Sequence, residues 1–173
     1  MRALTYDLAR TVGWAFAIDD GEPEHGTFTL PRTEGRYGAY LRRFAETTYK
    51  HVEAFQPTLI VYECPIMPAN SKIDILRGLY CMGPRLEEVA DICGIECREG
   101  ELGPIRKHFL GADRVPRRSA DIKDAVMAEC HRRGWRPCDH NAGDALALLD
   151  FVRANRIPGW ANRGRPILEK ATP

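Results

Sequence analysis

The stretch ALTYDLARTVGWAFAIDDGEPEHGTFTL, residues 3–30, decides the fold. A tight polar link at 10–11 and the turn sequence DDGEP at 19–23 divide it into three short apolar runs. Three successive strands joined by such short turns predict an antiparallel meander. The runs lie at 3–7, 13–18 and 26–30.

Helical and strand patterns alternate along the rest of the chain. Apolar residues recur at three- and four-residue steps from 40 to 55, which predicts a helix ending before Pro57. The run at 58–63 is apolar without alternation, so it predicts a central strand covered on both faces. The other predicted elements are a helix at 73–92, a strand at 95–98, and helices at 104–110, at 119–133 with Ser119 as its cap, and at 141–153.

This order of elements predicts one α/β domain at 1–154. Its mixed five-stranded sheet, with the first three strands antiparallel, is flanked by helices. The chain has 173 residues, of which 44% are hydrophobic and 28% charged, and these values exclude a disordered protein. We expect a basic tail at 155–173 that contains proline and glycine. No apolar run reaches membrane-spanning length, and a charge at Asp7 argues against a signal peptide, so we expect a cytoplasmic protein.

Six cysteines are present, and they include no C-x-x-C pair. Free thiols are the main expectation, because a domain of this size needs no cross-links. A structural zinc site built from some of them with His131 is the open alternative. The cysteines are at positions 64, 81, 93, 97, 130 and 138.

The net charge of +1 hides an uneven distribution. Residues 1–103 have a net charge of −5, and 104–136 have +5. The segment 137–152 contains three aspartates and no lysine or arginine, and 153–173 returns to +4. An acidic patch between basic stretches suits a nuclease, although a solvated surface with chance clustering gives the same pattern.

Acidic residues stand where predicted strands and helices end. Asp7 ends the first strand, Glu63 ends the fourth, Asp144 lies on the last helix, and Asp139 directly precedes that helix. Neighbouring strands that both end in an acid bring like charges together, and a divalent cation commonly resolves that repulsion. Taken singly, Asp139 also suits a helix N-cap and Asp7 a turn.

These motifs together resemble the RuvC type of Holliday junction resolvase, which has an RNase H-like fold. The resemblance rests on ALTYDLARTVGWAF at 3–16, LIVYE at 59–63 and DHNAGDALAL at 139–148, in the right order and spacing. RKHFLG at 106–111 and KDAV at 123–126 resemble the basic segment of the family. The D-x-N-x-x-D-A-L-A pattern is typical of the short versions found in bacteriophages.

The resemblance implies a metal site. It makes Asp7, Glu63 and Asp144 ligands of two Mg²⁺ ions, with Mn²⁺ as a substitute. The fourth ligand of the family lies one helical turn before Asp144, where this chain has Asn141 rather than an acid. We expect Asp139 to compensate, with His140 as the alternative.

The resemblance also implies the reaction and the partners. These are metal-dependent cleavage of four-way or branched DNA to 5′-phosphate ends, by a two-fold dimer. The family often has a stacking aromatic three residues after the strand acid, where this chain has Ile66 with Met67 beside it, so an apolar wedge is expected instead. The proposed dimer face, on the helix at 73–92, is formed by Leu79, Tyr80 and Met82, and core packing is the alternative there. The expected phosphate contacts are Lys107, Arg117, Arg118 and Lys123.

Three other functions remain open at this point. A less selective RNase H-like nuclease acting on flaps or RNA–DNA hybrids would use the same carboxylates. A non-catalytic junction-binding module is compatible with the substitution at Asn141. The opening D-x-x-x-T-x-G at 7–13 also resembles a phosphate motif of actin-like ATPases, but the chain is too short for their two domains.

Overall fold

A computed structural model describes residues 1–33, 35–63 and 73–158, apart from the side chains at 74 and 119. Five strands, five α-helices and one short 3₁₀ helix at Ala112–Arg114 lie in these residues. The strands are β1 Arg2–Asp7, β2 Thr11–Ile18, β3 Glu24–Thr29, β4 Leu59–Glu63 and β5 Glu96–Gly100. The helices are α1 Tyr37–Phe55, α2 Ile73–Ile92, α3 Leu102–Leu110, α4 Ser119–Arg132 and α5 His140–Arg156.

The strands form one mixed sheet in the order β3-β2-β1-β4-β5. β1, β2 and β3 pair antiparallel, whereas β4 pairs parallel with both β1 and β5. The predicted meander and the predicted mixed five-stranded sheet are therefore confirmed. The first four residues of β4 are buried, as expected for a strand with helices on both faces.

The alternation of side chains along β1 and β4 separates two hydrophobic cores. Leu4 and Ile60 point into a core that includes residues of α1 and α2, such as Phe44 and Met82. Their neighbours Ala3, Leu59 and Val61 belong to the other core, together with residues of α3, α4 and α5. Because side chains alternate, the last residues of β1 and β4, Asp7 and Glu63, share the face that α5 covers.

Two expectations about individual residues and one about a helix end need correction. Met82 is fully buried and its sulfur accepts a hydrogen bond from the Tyr40 hydroxyl at 3.0 Å, so it belongs to the core and not to a dimer face. Arg118, not Ser119, occupies the N-cap position of α4. The helix α5 ends at Arg156, beyond the predicted end at 153. The domain border at 154 stays a prediction.

Other predictions concern the cysteines, the membrane and the tail. The five described cysteines, Cys81, Cys93, Cys97, Cys130 and Cys138, are free, and Cys64 lies outside the described residues. In the part of the chain that the structure describes, no helix has the length and apolarity to cross a membrane. The segment 159–173 lies outside the described residues, so the expected basic tail stays a prediction.

Candidate active site

Two acidic side chains stand next to each other at one edge of the sheet. Tyr6 of β1 is paired with Tyr62 of β4 in parallel register, so the next residues, Asp7 and Glu63, end neighbouring strands at the same level. Both carboxylates are partly buried and face the α5 side of the sheet. The sequence prediction that these two strand ends meet is confirmed.

The first turns of α5 bring a third acid, Asp144, within electrostatic reach of these two. Asp139 caps this helix, with its Oδ1 accepting a hydrogen bond from the Ala142 amide at 2.9 Å. Gly13, the β2 partner of Asp7, lies directly beneath the helix. A Cβ at position 13 would be 1.9 Å from the Asn141 carbonyl oxygen, so only glycine permits this approach of the two backbones. Asp144 follows Asn141 by one helical turn.

The charges of these three acids act on one another. Burial raises the pKa of Asp7 well above its ordinary value, and the charges of Glu63 and Asp144 raise it further. Burial, with repulsion from Asp144, raises the pKa of Glu63 to about 7. Burial also raises the pKa of Asp144. The three carboxylates therefore form one electrostatic unit, which is destabilised while all three are charged.

Two cationic side chains face this unit. Arg106 of α3 and Lys123 of α4 each lower the pKa values of Asp7, Glu63 and Asp144. The Arg106 Nε is buried and has no hydrogen-bond partner among the described residues. A buried guanidinium donor that lacks a protein acceptor is costly, and an anionic ligand would satisfy it.

Arg106 was missing from the residues expected at the site, although a signal for it exists in the sequence. Phe109 and Leu110 lie three and four residues after Arg106, and both are buried, so Arg106 borders the inward face of α3. Lys107, the residue that the sequence predicted to contact phosphate, is the next residue along α3 and is exposed.

The donor chemistry of the carboxylates suits a hard divalent cation such as Mg²⁺, because it consists of oxygen ligands that repel each other when charged. As the side chains stand, no group of three or more His, Cys, Asp or Glu residues within 1–33, 35–63 and 73–158 is arranged as a metal site. A cation would therefore have to draw Asp7, Glu63 and Asp144 closer together. The same observation leaves the zinc alternative without support among the described cysteines.

The fourth ligand and the phosphate contacts stay predictions. Asp139 raises and His140 lowers the pKa of Asp144, so both lie within electrostatic reach of it. Asn141 lies in the first turn of α5, with its backbone carbonyl against Gly13. Arg117 and Arg118 are exposed just before α4. The expected apolar wedge, Ile66 and Met67, lies outside the described residues.

Solved structures with a similar fold include two of Thermus thermophilus RuvC. The first, in complex with a Holliday junction substrate, gives a TM-score of 0.62 at 11% identity and covers 86% of this chain and 89% of its own. The second gives a TM-score of 0.62 at 12% identity and covers 90% of this chain and 96% of its own. The yeast mitochondrial Holliday junction resolvase Ydc2 gives a TM-score of 0.58 at 13% identity and covers 93% of this chain and 79% of its own.

Sequence comparisons give no matching relative: no protein-family model and no curated protein matches this chain. The structural likeness extends over most of the chain and shows that it has the RNase H-like fold of RuvC-type resolvases.

Proposed function

We propose that this chain is a metal-dependent, structure-selective endonuclease that cuts four-way DNA junctions and leaves 5′-phosphate ends. The observation that carries the proposal is that Asp7 and Glu63 end neighbouring strands of a RuvC-like sheet, within electrostatic reach of Asp144, Arg106 and Lys123. The similar Thermus thermophilus protein is in complex with a Holliday junction, and the yeast protein is a resolvase.

Asp7 is the central residue of the proposed site. It lies on the strand between the elements that carry Glu63 and Gly13, and its carboxylate is subject to repulsion from both Glu63 and Asp144. We assign these three acids to the binding of two Mg²⁺ ions, for which Mn²⁺ would substitute, with Asp139 or Asn141 completing the ligand set. Such cations activate a water molecule and offset negative charge on the departing oxygen.

The basic residues hold the DNA backbone in this proposal. Arg106 and Lys123, whose charges act on Glu63 and Asp144, would neutralise the phosphate that is cut. The unpartnered Nε of Arg106 would donate to a phosphate oxygen there. Lys107, Arg117 and Arg118 are exposed on α3 and before α4, and would contact phosphates further along the strand.

A two-fold dimer is proposed because a four-way junction needs paired cuts on symmetric strands. With Met82 buried, exposed apolar side chains of the first half of α2 are the candidates for this contact. Ile73 is 63% exposed, Ile75 59% and Tyr80 46%. Alanine at all three positions should convert a dimer into a monomer in analytical ultracentrifugation.

The test is cleavage of labelled DNA in the presence and absence of Mg²⁺. A four-way junction, a flap, a linear duplex and an RNA–DNA hybrid are compared with wild type, Asp7→Asn and the matched control Asp91→Asn, which neutralises an exposed acid of α2. We expect Mg²⁺-dependent cutting of the junction by wild type and the control, and binding without cutting by Asp7→Asn.

The other outcomes contradict particular parts of the proposal. Preferential cutting of the flap or hybrid would replace junction selectivity by a less selective RNase H-like activity. Cutting by Asp7→Asn at the wild-type rate would contradict the assignment of Asp7 to a metal site. Junction binding without any cutting by wild type would make the chain a non-catalytic junction-binding module.

A further inference from the structure

A buried hydroxyl connects the strand that carries Asp7 to the helix that carries Asp144. Thr5, in the middle of β1, has 0% of its surface exposed. Because it precedes Asp7 by two residues, its side chain points to the same face of the sheet, toward α5. Its partners on the two neighbouring strands, Ala15 and Val61, are apolar and belong to the core on this side of the sheet.

The hydroxyl of Thr5 makes its shortest contact across elements that are far apart in sequence. Its Oγ1 lies 2.8 Å from the carbonyl oxygen of Ala145 and 3.2 Å from that of Ala15. A hydroxyl has one proton to donate, and the shorter distance assigns that proton to Ala145. This carbonyl belongs to the residue that directly follows Asp144.

The surroundings show that the hydroxyl, and not only the shape of the side chain, matters at this position. Valine has nearly the same shape, but it would place a methyl group instead of Oγ1 against the carbonyl oxygens of Ala145 and Ala15. Burying a hydroxyl is unfavourable unless a hydrogen bond compensates it, and here that bond links β1 to α5. The position of α5 on the sheet therefore depends on a polar contact as well as on shape.

We propose that Thr5 is a positioning residue, whose hydroxyl holds α5 against β1 at the level where the Asp144 carboxylate acts together with those of Asp7 and Glu63. The inference rests on the proposed function, because it assigns these three acids to cation binding. Loss of the hydroxyl removes none of the three acids, but it lets α5 shift on β1, so their spacing is less well fixed and cation affinity falls. Residues that orient metal ligands commonly alter affinity by roughly 10–100-fold.

The experiment measures Mn²⁺ binding to the metal-free protein without DNA, by electron paramagnetic resonance of the free ion. Thr5→Val removes the hydroxyl and keeps the shape, whereas Thr5→Ser keeps the hydroxyl. Thr48→Val is the matched control, because Thr48 is equally buried but lies on the other side of the sheet from α5. It donates to the Phe44 carbonyl at 3.0 Å and lies within hydrogen-bond reach of the Tyr6 side chain.

We expect Thr5→Val to weaken Mn²⁺ binding by roughly tenfold or more. Thr5→Ser and Thr48→Val should stay within about threefold of wild type. A general loss of stability would affect Thr5→Val and Thr48→Val alike, so a difference between them in Mn²⁺ affinity reports positioning.

Wild-type affinity in a folded Thr5→Val protein would overturn the inference and leave the proposed function intact. If Thr5→Val does not fold, Thr5→Ala removes the same hydroxyl without placing a methyl group against the two carbonyl oxygens. Wild-type Mn²⁺ affinity in Thr5→Ala would then overturn the inference in the same way. Absence of Mn²⁺ binding by wild type would contradict the proposed metal site, and the role of Thr5 with it.

Discussion

The contact between Gly13 and α5 offers a sharp perturbation of the site, through the substitution Gly13→Ala. The new Cβ would lie 1.9 Å from the Asn141 oxygen, 2.2 Å from its carbonyl carbon and 2.9 Å from the Ala142 nitrogen. All three atoms belong to the backbone, so no side chain can turn away. To restore an ordinary contact of 3.4 Å, the helix backbone would have to retreat from β2 by about 1.5 Å.

Gly13→Ala should lower both the stability of the protein and its rate of junction cleavage. Overpacking of this kind costs about 1–3 kcal/mol, and a rigid backbone contact belongs at the upper end. A loss of about 3 kcal/mol lowers the melting temperature of a domain of this size by roughly 6–12 °C. Because Asp144 follows one turn after Asn141, it would move with the helix, and a displacement of about 1 Å at a reacting centre reduces rates by roughly 100-fold.

The assays are thermal unfolding and junction cleavage at a temperature where the variant is folded. Gly38→Ala is the control, because a Cβ at Gly38, in the first turn of α1, meets nothing within 4 Å. That variant should keep full activity and gain up to about 1 kcal/mol. Wild-type melting temperature and cleavage by Gly13→Ala would refute the close packing of β2 against α5.

Three further perturbations test the electrostatics of the site. Because the native pKa of Glu63 is raised from 4.5 to about 7, the folded state holds a proton that the unfolded state releases, and stability without metal falls as pH rises between these values. Glu63→Gln should therefore match wild type in stability at pH 4 and exceed it by roughly 1–3 kcal/mol at pH 8 in urea unfolding with EDTA; a deficit at pH 8 would contradict this sign. Arg106→Gln should slow cleavage about tenfold or more, whereas Lys107→Gln should change it less than threefold, and equal effects would show that proximity to the carboxylates is irrelevant. Asp139→Asn keeps the acceptor that caps α5, whereas Asp139→Ala removes it and should lower the free energy of unfolding by about 1 kcal/mol. Slower cleavage by the stable Asp139→Asn assigns the fourth ligand to Asp139, and slower cleavage by Asn141→Ala assigns it to Asn141. No loss of cleavage in either variant refutes both assignments.

The strands and the meeting of two acids could be predicted from the sequence because local signals determine them. Turn residues at 10–11 and 19–23 divide the meander, and uninterrupted apolar residues mark β4 as central. Once β1 and β4 are neighbours in parallel register, acids at both strand ends must lie side by side. None of these steps needs knowledge of side-chain packing.

The depth at which α5 packs could not be predicted, because it depends on contacts between distant parts of the chain. In the sequence, Gly13 and Thr5 look like ordinary strand residues. Only the structure shows that both contact the backbone of α5. Met82 had two interpretations, a dimer face and core packing, and it lies in the core, where its sulfur accepts a hydrogen bond from Tyr40 of another helix. Asp139 offered two interpretations, and the structure confirms the cap without testing the ligand role.

The central claim is that Asp7, Glu63 and Asp144 together bind divalent cations. Anomalous diffraction from crystals grown with Mn²⁺ tests it most directly. We expect an anomalous peak between these three carboxylates in wild type and its loss or strong reduction in Asp7→Asn. No peak there at a Mn²⁺ concentration that supports cleavage, or a peak only at another place in the chain, would contradict the account.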